Sequence, residues 1–256
     1  MDNQVFEHFI QVVEARRSCR NLKSDPLPEG AVEKILAAGR WAMSGANGQP
    51  WEFIVVTKPE LKERLWEAYR DMDREFIFWT EQMRPREFRH PAFQRPGTID
   101  EQLAHFDEMK GFAHAPALIV VLGDGRRQWA TVMGAHTFGR GSTHLTDGLA
   151  NACQIIHLAA TALGLGTQWV TIHVEEEFKQ ILGIPPLVKL HSIIPVGYPA
   201  AAQKGGVRRP LEEIIHYETY DLKKYRSTRQ TVEDLAKLRQ QTIELYRASV
   251  QGSKKE

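Results

Sequence analysis

The chain has 256 residues, 42% of them apolar and 25% charged, a balance ordinary for soluble globular proteins and far from disordered, collagen-like or fibrous sequences. Lys and Arg number 33 against 32 Asp and Glu, so at net charge +1 no broad field steers the chain onto nucleic acid or an anionic membrane. Cys19 and Cys153 are too few for a disulfide framework; with no signal-like N-terminus and no run of about 18 apolar residues, a soluble cytoplasmic protein is expected.

Val5, Phe9, Val12 and Val13 recur at helical spacing and lead into the cationic cluster Arg16-Arg17-Ser18-Cys19-Arg20. After Pro26 and Pro28 a second helix is expected over 31–43, then a strand over 52–57. A charged helical pattern follows over 59–83, and the prolines at 85, 91 and 96 make 84–97 a loop before a short helix over 100–111. Residues 66–112 together read as a lid or cap insertion, carrying Trp66, Tyr69, Phe76, Trp79, Phe88 and Phe106. The apolar, β-branched run 117–122 suits a central strand, closed by Gly123 and Gly125. Residues 146–163 form a helix apolar almost all round, fit for a bundle centre or a subunit interface. Strands over 167–172 and 191–196 flank a small helix over 175–182, and the tail over 229–250 carries an apolar stripe from Val232 to Val250 that needs a partner surface. The order predicts an α+β domain, a small mixed sheet flanked by helices in three layers.

Common cofactor and metal motifs are absent. Gly139-Arg-Gly141-Ser-Thr-His144 and Gly164-Leu-Gly166-Thr-Gln-Trp169 lack the third glycine of a dinucleotide fingerprint, and no P-loop occurs. His136, His144 and His173 show no metal-ligand spacing, so no metal is expected and the ten histidines read as surface or capping residues. Ser142 lacks a nucleophile elbow, and Cys153 within the apolar helix reads as core.

Three segments do carry chemistry. The guanidinium groups of Arg16, Arg17 and Arg20 with the Ser18 hydroxyl match phosphate oxygens. Residues 44–53, Ser-Gly-Ala-Asn-Gly-Gln-Pro-Trp-Glu-Phe, combine close backbone approach with amide side chains suited to a heteroaromatic edge or a ribityl chain. Lys204-Gly-Gly-Val-Arg208-Arg209 is a second cation cluster preceded by glycines, more than a net charge of +1 would suggest.

Together with Ala162-Leu-Gly-Leu-Gly-Thr-x-Trp169, Pro195-Val-Gly-Tyr-Pro199 and Arg209-Pro-Leu-Glu-Glu, these motifs over about 10–216 resemble the nitroreductase family of FMN-dependent oxidoreductases. The resemblance implies an intertwined homodimer with FMN at the subunit interface, a nitroreductase-like domain over 1–220 with the 66–112 lid, and a C-terminal helical extension over 221–256 on the partner. It implies that Arg16, Arg17, Ser18 and Arg20 hold the phosphate, ribityl chain and pyrimidine edge, with Arg20 near N1 and O2. By the same resemblance Ser44, Ala46, Asn47 and Gln49 reach the flavin from the partner. Trp169, Val170 and Thr171 would line the edge toward N5, and Arg208 with Lys204 or Arg209 would complete the phosphate site.

The implied activity is ping-pong hydride transfer from NADH or NADPH through flavin N5 to a small aromatic acceptor such as a nitroaromatic or quinone. No side chain is required as acid or base, and Thr171 is the expected N5 neighbour. The lid also resembles that of the iodotyrosine deiodinase branch. Asp73 and Lys110 match its substrate-gripping carboxylate and lysine, but Ile77 stands where a tyrosine would, which argues against deiodination of tyrosine. The alternatives are a reductive dehalogenase-type flavoenzyme and a flavin-binding protein without turnover.

Overall fold

The computed structural model describes residues 3–85, 89, 98, 101, 111–127, 141–173, 175–201 and 206–252, with the side chains of 72–75, 77, 141–143 and 246–252 left aside. Helix α1 (Asn3–Ala15) and α2 (Ala31–Gly39) precede strand β1 (Trp51–Val56), the long α3 (Pro59–Gln82) and β2 (Ala117–Asp124). Helix α4 (Gly141–Ala162), the two-residue strands β3 (Gly166–Thr167) and β4 (Val170–Thr171), α5 (Glu176–Leu182) and β5 (Val188–Gly197) follow. A short α6 (Leu211–Ile214) and the terminal α7 (Thr228–Gly252) end the described chain.

The sheet runs β1-β2-β5-β3, with β4 also on β5. All of its ladders are antiparallel, where a mixed sheet is expected from sequence. The parallel component among the described residues is a single bridge, Ser18 to Thr167, made by chain outside the strands.

Strand β2 is apolar throughout because both of its faces are covered. Leu118, Val120 and Leu122 join a core with Leu65 and Trp66 of α3 and Phe178 of α5. Ile119 and Val121 point to the opposite core with Ile35 of α2 and Leu149, Cys153 and Ile156 of α4. Helices therefore lie on both faces, the three layers expected. Helix α2 lies close on α4 because residue 39 is glycine: a Cβ there would fall 2.7 Å from Ile156 Cγ1.

Several boundaries differ from the sequence reading. Helix α2 stops at Gly39 rather than 43, because the chain tightens into Trp41→Ala38 and Ala42→Gly39 turns (3.0 and 3.1 Å) before Ser44 extends. Helix α4 starts five residues earlier than expected, at Gly141, and the strands around Gly123 and Leu190 are longer, with Gly123 inside β2. The single strand expected over 167–172 is two pieces in one register. Pro195, which has no N–H, stands opposite the gap at Gln168 and Trp169. The loop over 84–97 and the helix over 100–111 lie almost wholly outside the described residues.

Two amphipathic helices leave their apolar faces uncovered. No residue of α1 is buried, and Val5, Phe9 and Val13 are exposed. On α7, Val232, Leu235 and Leu245 are exposed. No helix among the described residues is long and apolar enough to cross a membrane.

Candidate functional site

Beyond α1 the chain forms a strap, residues 16–23, along the sheet edge. The Cys19 amide donates to the Thr167 carbonyl (2.8 Å), Lys23 to Tyr198 (2.8 Å), and Ala200 donates back to Asn21 (3.0 Å). The contact demands glycines on the sheet side. A Cβ at 166 would sit 2.7 Å from Cys19 Sγ and 2.9 Å from Cys19 Cβ, and one at 197 only 3.2 Å from Leu22 Cβ. Buried Cys19 anchors the strap, leaving Ser18 and Arg20 on either side of it exposed.

Arg16 and Arg17 are half-buried. Arg17 Nη1 donates to the carbonyls of Glu14 and Arg16, while its Nε is buried without a partner. A buried donor left unsatisfied costs about 1–3 kcal/mol, more when charged, so this guanidinium suits an anionic ligand that would complete it.

The strap meets a wall made by residues 167–171. Thr167 Oγ1 lies 2.7 Å from Nδ1 of His157, which projects from α4 and is buried. Desolvation first and the nearby Arg16 charge second push the His157 imidazole down to about 4, so it is neutral at pH 7. The indole of Trp169, 38% exposed, meets two imidazoles. His157 stacks at 6.1 Å and 29°, and His191 of β5 meets it edge-on at 5.3 Å and 76°. Burial also lowers the His191 pKa, with Lys189 adding to it. Val170 is buried and Thr171 exposed beside it. The structure thus brings Arg16, Arg17, Ser18 and Arg20 onto the same edge as Trp169, Val170 and Thr171.

The loop 44–49 is built separately. Ala46, Asn47 and Gln49 have φ of 52°, 52° and 48°, three non-glycine residues in left-handed geometry, each costing roughly 1–3 kcal/mol and of the kind that clusters at ligand clamps. The Gln49 amide donates to Ser44 Oγ (2.9 Å), and Asn151 Nδ2 of α4 donates to the Met43 carbonyl (3.2 Å). Gly48 abuts the Arg127 carbonyl, 2.7 Å from where a Cβ would be. Ala46, Asn47 and Gln49 are exposed and Ser44 partly so, and no described hydrogen bond joins this loop to the strap of the same chain.

The second cation cluster makes local contacts of its own. Arg208 Nη1 donates to the carbonyls of Gly206 (3.1 Å) and Val207 (3.4 Å), and Arg209 pairs with Glu213 at 3.6 Å one helical turn on. Lys204 and Lys110 lie outside the described residues, as do the side chains of Asp73 and Ile77 on α3.

Trp66 does not face an open pocket. It is buried against Tyr69 and Phe112, with ring centroids 5.6 and 5.3 Å away, and so belongs to the core on the α3 side of β2. Phe78 is likewise buried, whereas Phe76 is half exposed and packs on His173 at 4.3 Å, and Trp79 is exposed. Phe88 and Phe106 are outside the described residues.

His157 and His191 are the site residues that sequence reasoning missed. Reading the histidines as surface or capping residues fails for these two, and the available signal is a His in an otherwise apolar helix stretch and another in an apolar strand. Among the described residues no three His, Cys, Asp or Glu side chains converge as a metal site. Cys153 is core, its thiol near Ser192 Oγ (3.6 Å) and pushed up to about 11 by burial.

The nitroreductase family model matches residues 13–198. Rat iodotyrosine deiodinase 1 is 28% identical over 214 residues, 82% of this chain and 69% of the relative. An NADH dehydrogenase of Thermus thermophilus is 27% identical over 212 residues, 78% of this chain and 91% of the relative. Among solved structures, oxidized iodotyrosine deiodinase bound to FMN and 3-iodo-L-tyrosine superposes with a TM-score of 0.60 at 21% identity, covering 83% of this chain and 100% of that one. A nitroreductase family protein of Streptococcus pneumoniae superposes with a TM-score of 0.55 at 19% identity, covering 82% and 100%. With its strap, wall and three-layer fold inside a family match that spans most of its length, this chain belongs to the nitroreductase family.

Proposed function

We propose that the protein is an FMN-dependent oxidoreductase that takes a hydride from NADH or NADPH and delivers it to a small aromatic acceptor, a nitroaromatic or a quinone, in a ping-pong cycle. The observation that carries this reading is the buried, unpartnered Arg17 Nε on an arginine strap hydrogen-bonded to the 167–171 wall. A dianionic phosphate satisfies that donor, and a planar ring fits beside the half-exposed Trp169. Relatives named for NADH dehydrogenase and a solved neighbour bound to FMN support both the reductant and the cofactor.

Bound FMN supplies the two-electron carrier. Arg16, Arg17 and Ser18 bind its phosphate and ribityl chain, and Arg20 adds fixed positive charge at the pyrimidine edge, where reduction concentrates negative charge. Trp169 and Val170 form the wall, and Thr171 lies toward N5. Arg208, with Lys204 or Arg209, completes the phosphate site, and no side chain acts as general acid or base.

The working unit in this reading is a homodimer. The uncovered apolar faces of α1 and α7 have the chemistry of a subunit interface, and the strained loop at Ser44, Ala46, Asn47 and Gln49 serves the partner's flavin. Residues 1–220 form the flavin-binding domain with a lid over 66–112, and 221–256 extend over the partner, in a cytoplasmic protein with no nucleic-acid or membrane partner.

Two measurements test the proposal. The purified protein should be yellow and release FMN at about one per chain, and NAD(P)H oxidation should accelerate on adding a nitroaromatic or quinone. A colourless protein that cannot be loaded with FMN refutes the cofactor; flavin without acceptor-dependent turnover leaves a flavin-binding protein. Similarity to iodotyrosine deiodinases favours a second reading, reductive dehalogenation, with Asp73 and Lys110 gripping the substrate. Ile77 in place of a tyrosine directs that reading to halogenated aromatics other than iodotyrosine.

A further inference from the structure

Strand β5 carries one residue more than its partner allows. Val121 pairs with Ser192 but Leu122 pairs with Leu190, so His191 has no cross-strand partner and forms a β-bulge. The extra residue lets Leu190 enter the α3 core while Ser192 contacts Cys153 on the α4 side. It also takes His191 out of strict alternation and sets its ring edge-on to Trp169.

Trp169 needs such support. It falls in the gap between β3 and β4, so no ladder on β5 fixes its backbone. Its indole instead meets two side-chain rings, stacking on His157 and meeting His191 edge-on. His157 is itself fixed by Thr167, whose carbonyl holds the Cys19 amide of the arginine strap. His191 Nε2 is buried without a partner, a cost that an ordinary packing residue would avoid.

We propose that His191 is a positioning residue: placed by the β5 bulge, it holds the Trp169 indole with His157 so that the indole forms a fixed wall of the flavin pocket. This rests on the flavin reading above. The neutral state of both imidazoles keeps the contacts to Trp169 aromatic rather than cationic, with Arg16 near His157 and Lys189 near His191 as the charges that disfavour protonation.

The test is a double-mutant cycle on FMN affinity, with the visible circular dichroism of the bound flavin as a second readout. His191→Ala should weaken FMN by about fivefold, the scale of one aromatic pair, and alter the flavin dichroism. His191→Phe should stay within about twofold of wild type because it keeps the edge contact, while His191→Gln should behave like the alanine variant. In a Trp169→Leu background the His191→Ala loss should vanish. Should His191→Ala not fold, the Phe and Gln variants decide. Equal losses in both backgrounds, or unchanged affinity and dichroism in folded His191→Ala and His191→Gln, overturn the proposal while leaving the flavin reading intact. A wild-type protein that takes up no FMN removes both.

Discussion

Acidifying the protein should destabilise it through His157. In the unfolded chain this imidazole takes up a proton near 6.5, but in the folded protein burial and Arg16 hold it down to about 4. Between those values the unfolded state binds more protons, so stability falls as the pH falls, and above about 6.5 the group contributes no pH dependence. With His157 only 4% exposed, solvent screening is small. At about 1.4 kcal/mol per pH unit, the penalty at pH 4.5 is about 2–3 kcal/mol, a sizeable share of a typical domain's stability. Urea denaturation at fixed protein concentration, at about pH 7.5 and about pH 4.5, measures it. Wild type should lose about 2–3 kcal/mol more than His157→Gln over that interval, since glutamine does not titrate. Asp124, whose carboxyl is held low by Arg126, and His191 contribute equally to both proteins and drop out of the comparison. Equal losses in the two proteins would refute the burial argument for His157.

Gly166→Ala should displace the strap, costing about 1–3 kcal/mol and weakening FMN binding. Cys19→Ala should restore part of the loss but not all, because the Cys19 Cβ remains 2.9 Å from the new methyl; an unperturbed single variant would show that the strap yields freely. Ala46→Gly should raise the melting temperature by the equivalent of about 0.5–1 kcal/mol, since glycine adopts φ of 52° without strain, while FMN affinity falls as the loop loosens; a destabilised variant would count against strain at 46. Arg208→Ala should weaken FMN by an amount corresponding to about 1.5–3 kcal/mol, and unchanged affinity by fluorescence titration would remove Arg208 from the phosphate site.

Much of the scaffold is legible in the sequence because its signals are local. The apolar run at 117–122 reads as a strand covered on both faces, and the apolar stretch at 146–163 reads as a buried helix; the structure has both. The arginine strap and the Thr167–Thr171 segment are legible as motifs, and the sheet edge brings them together. What escapes depends on pairing between distant residues. Pro195 breaks the strand at 168 from across the ladder, and the antiparallel register follows from how five strands assemble, not from any one of them. His157 and His191 escape for the same reason: a histidine in an apolar run has no local signature until Trp169 and Thr167 are placed beside it. The aromatics of 66–112 likewise carry no local mark that separates core from surface: Trp66 spends its ring on Phe112 and Tyr69, while Trp79 is exposed.

Strand β2 is a party wall between two cores, with Leu118, Val120 and Leu122 serving one room and Ile119 and Val121 the other. Neither room can melt while the wall stands, and neither can stand once the wall is lost. Exchange of the β2 amides with solvent water therefore reports the opening of the whole molecule, whereas α1 and α7, which share no such wall, open and close on their own clock.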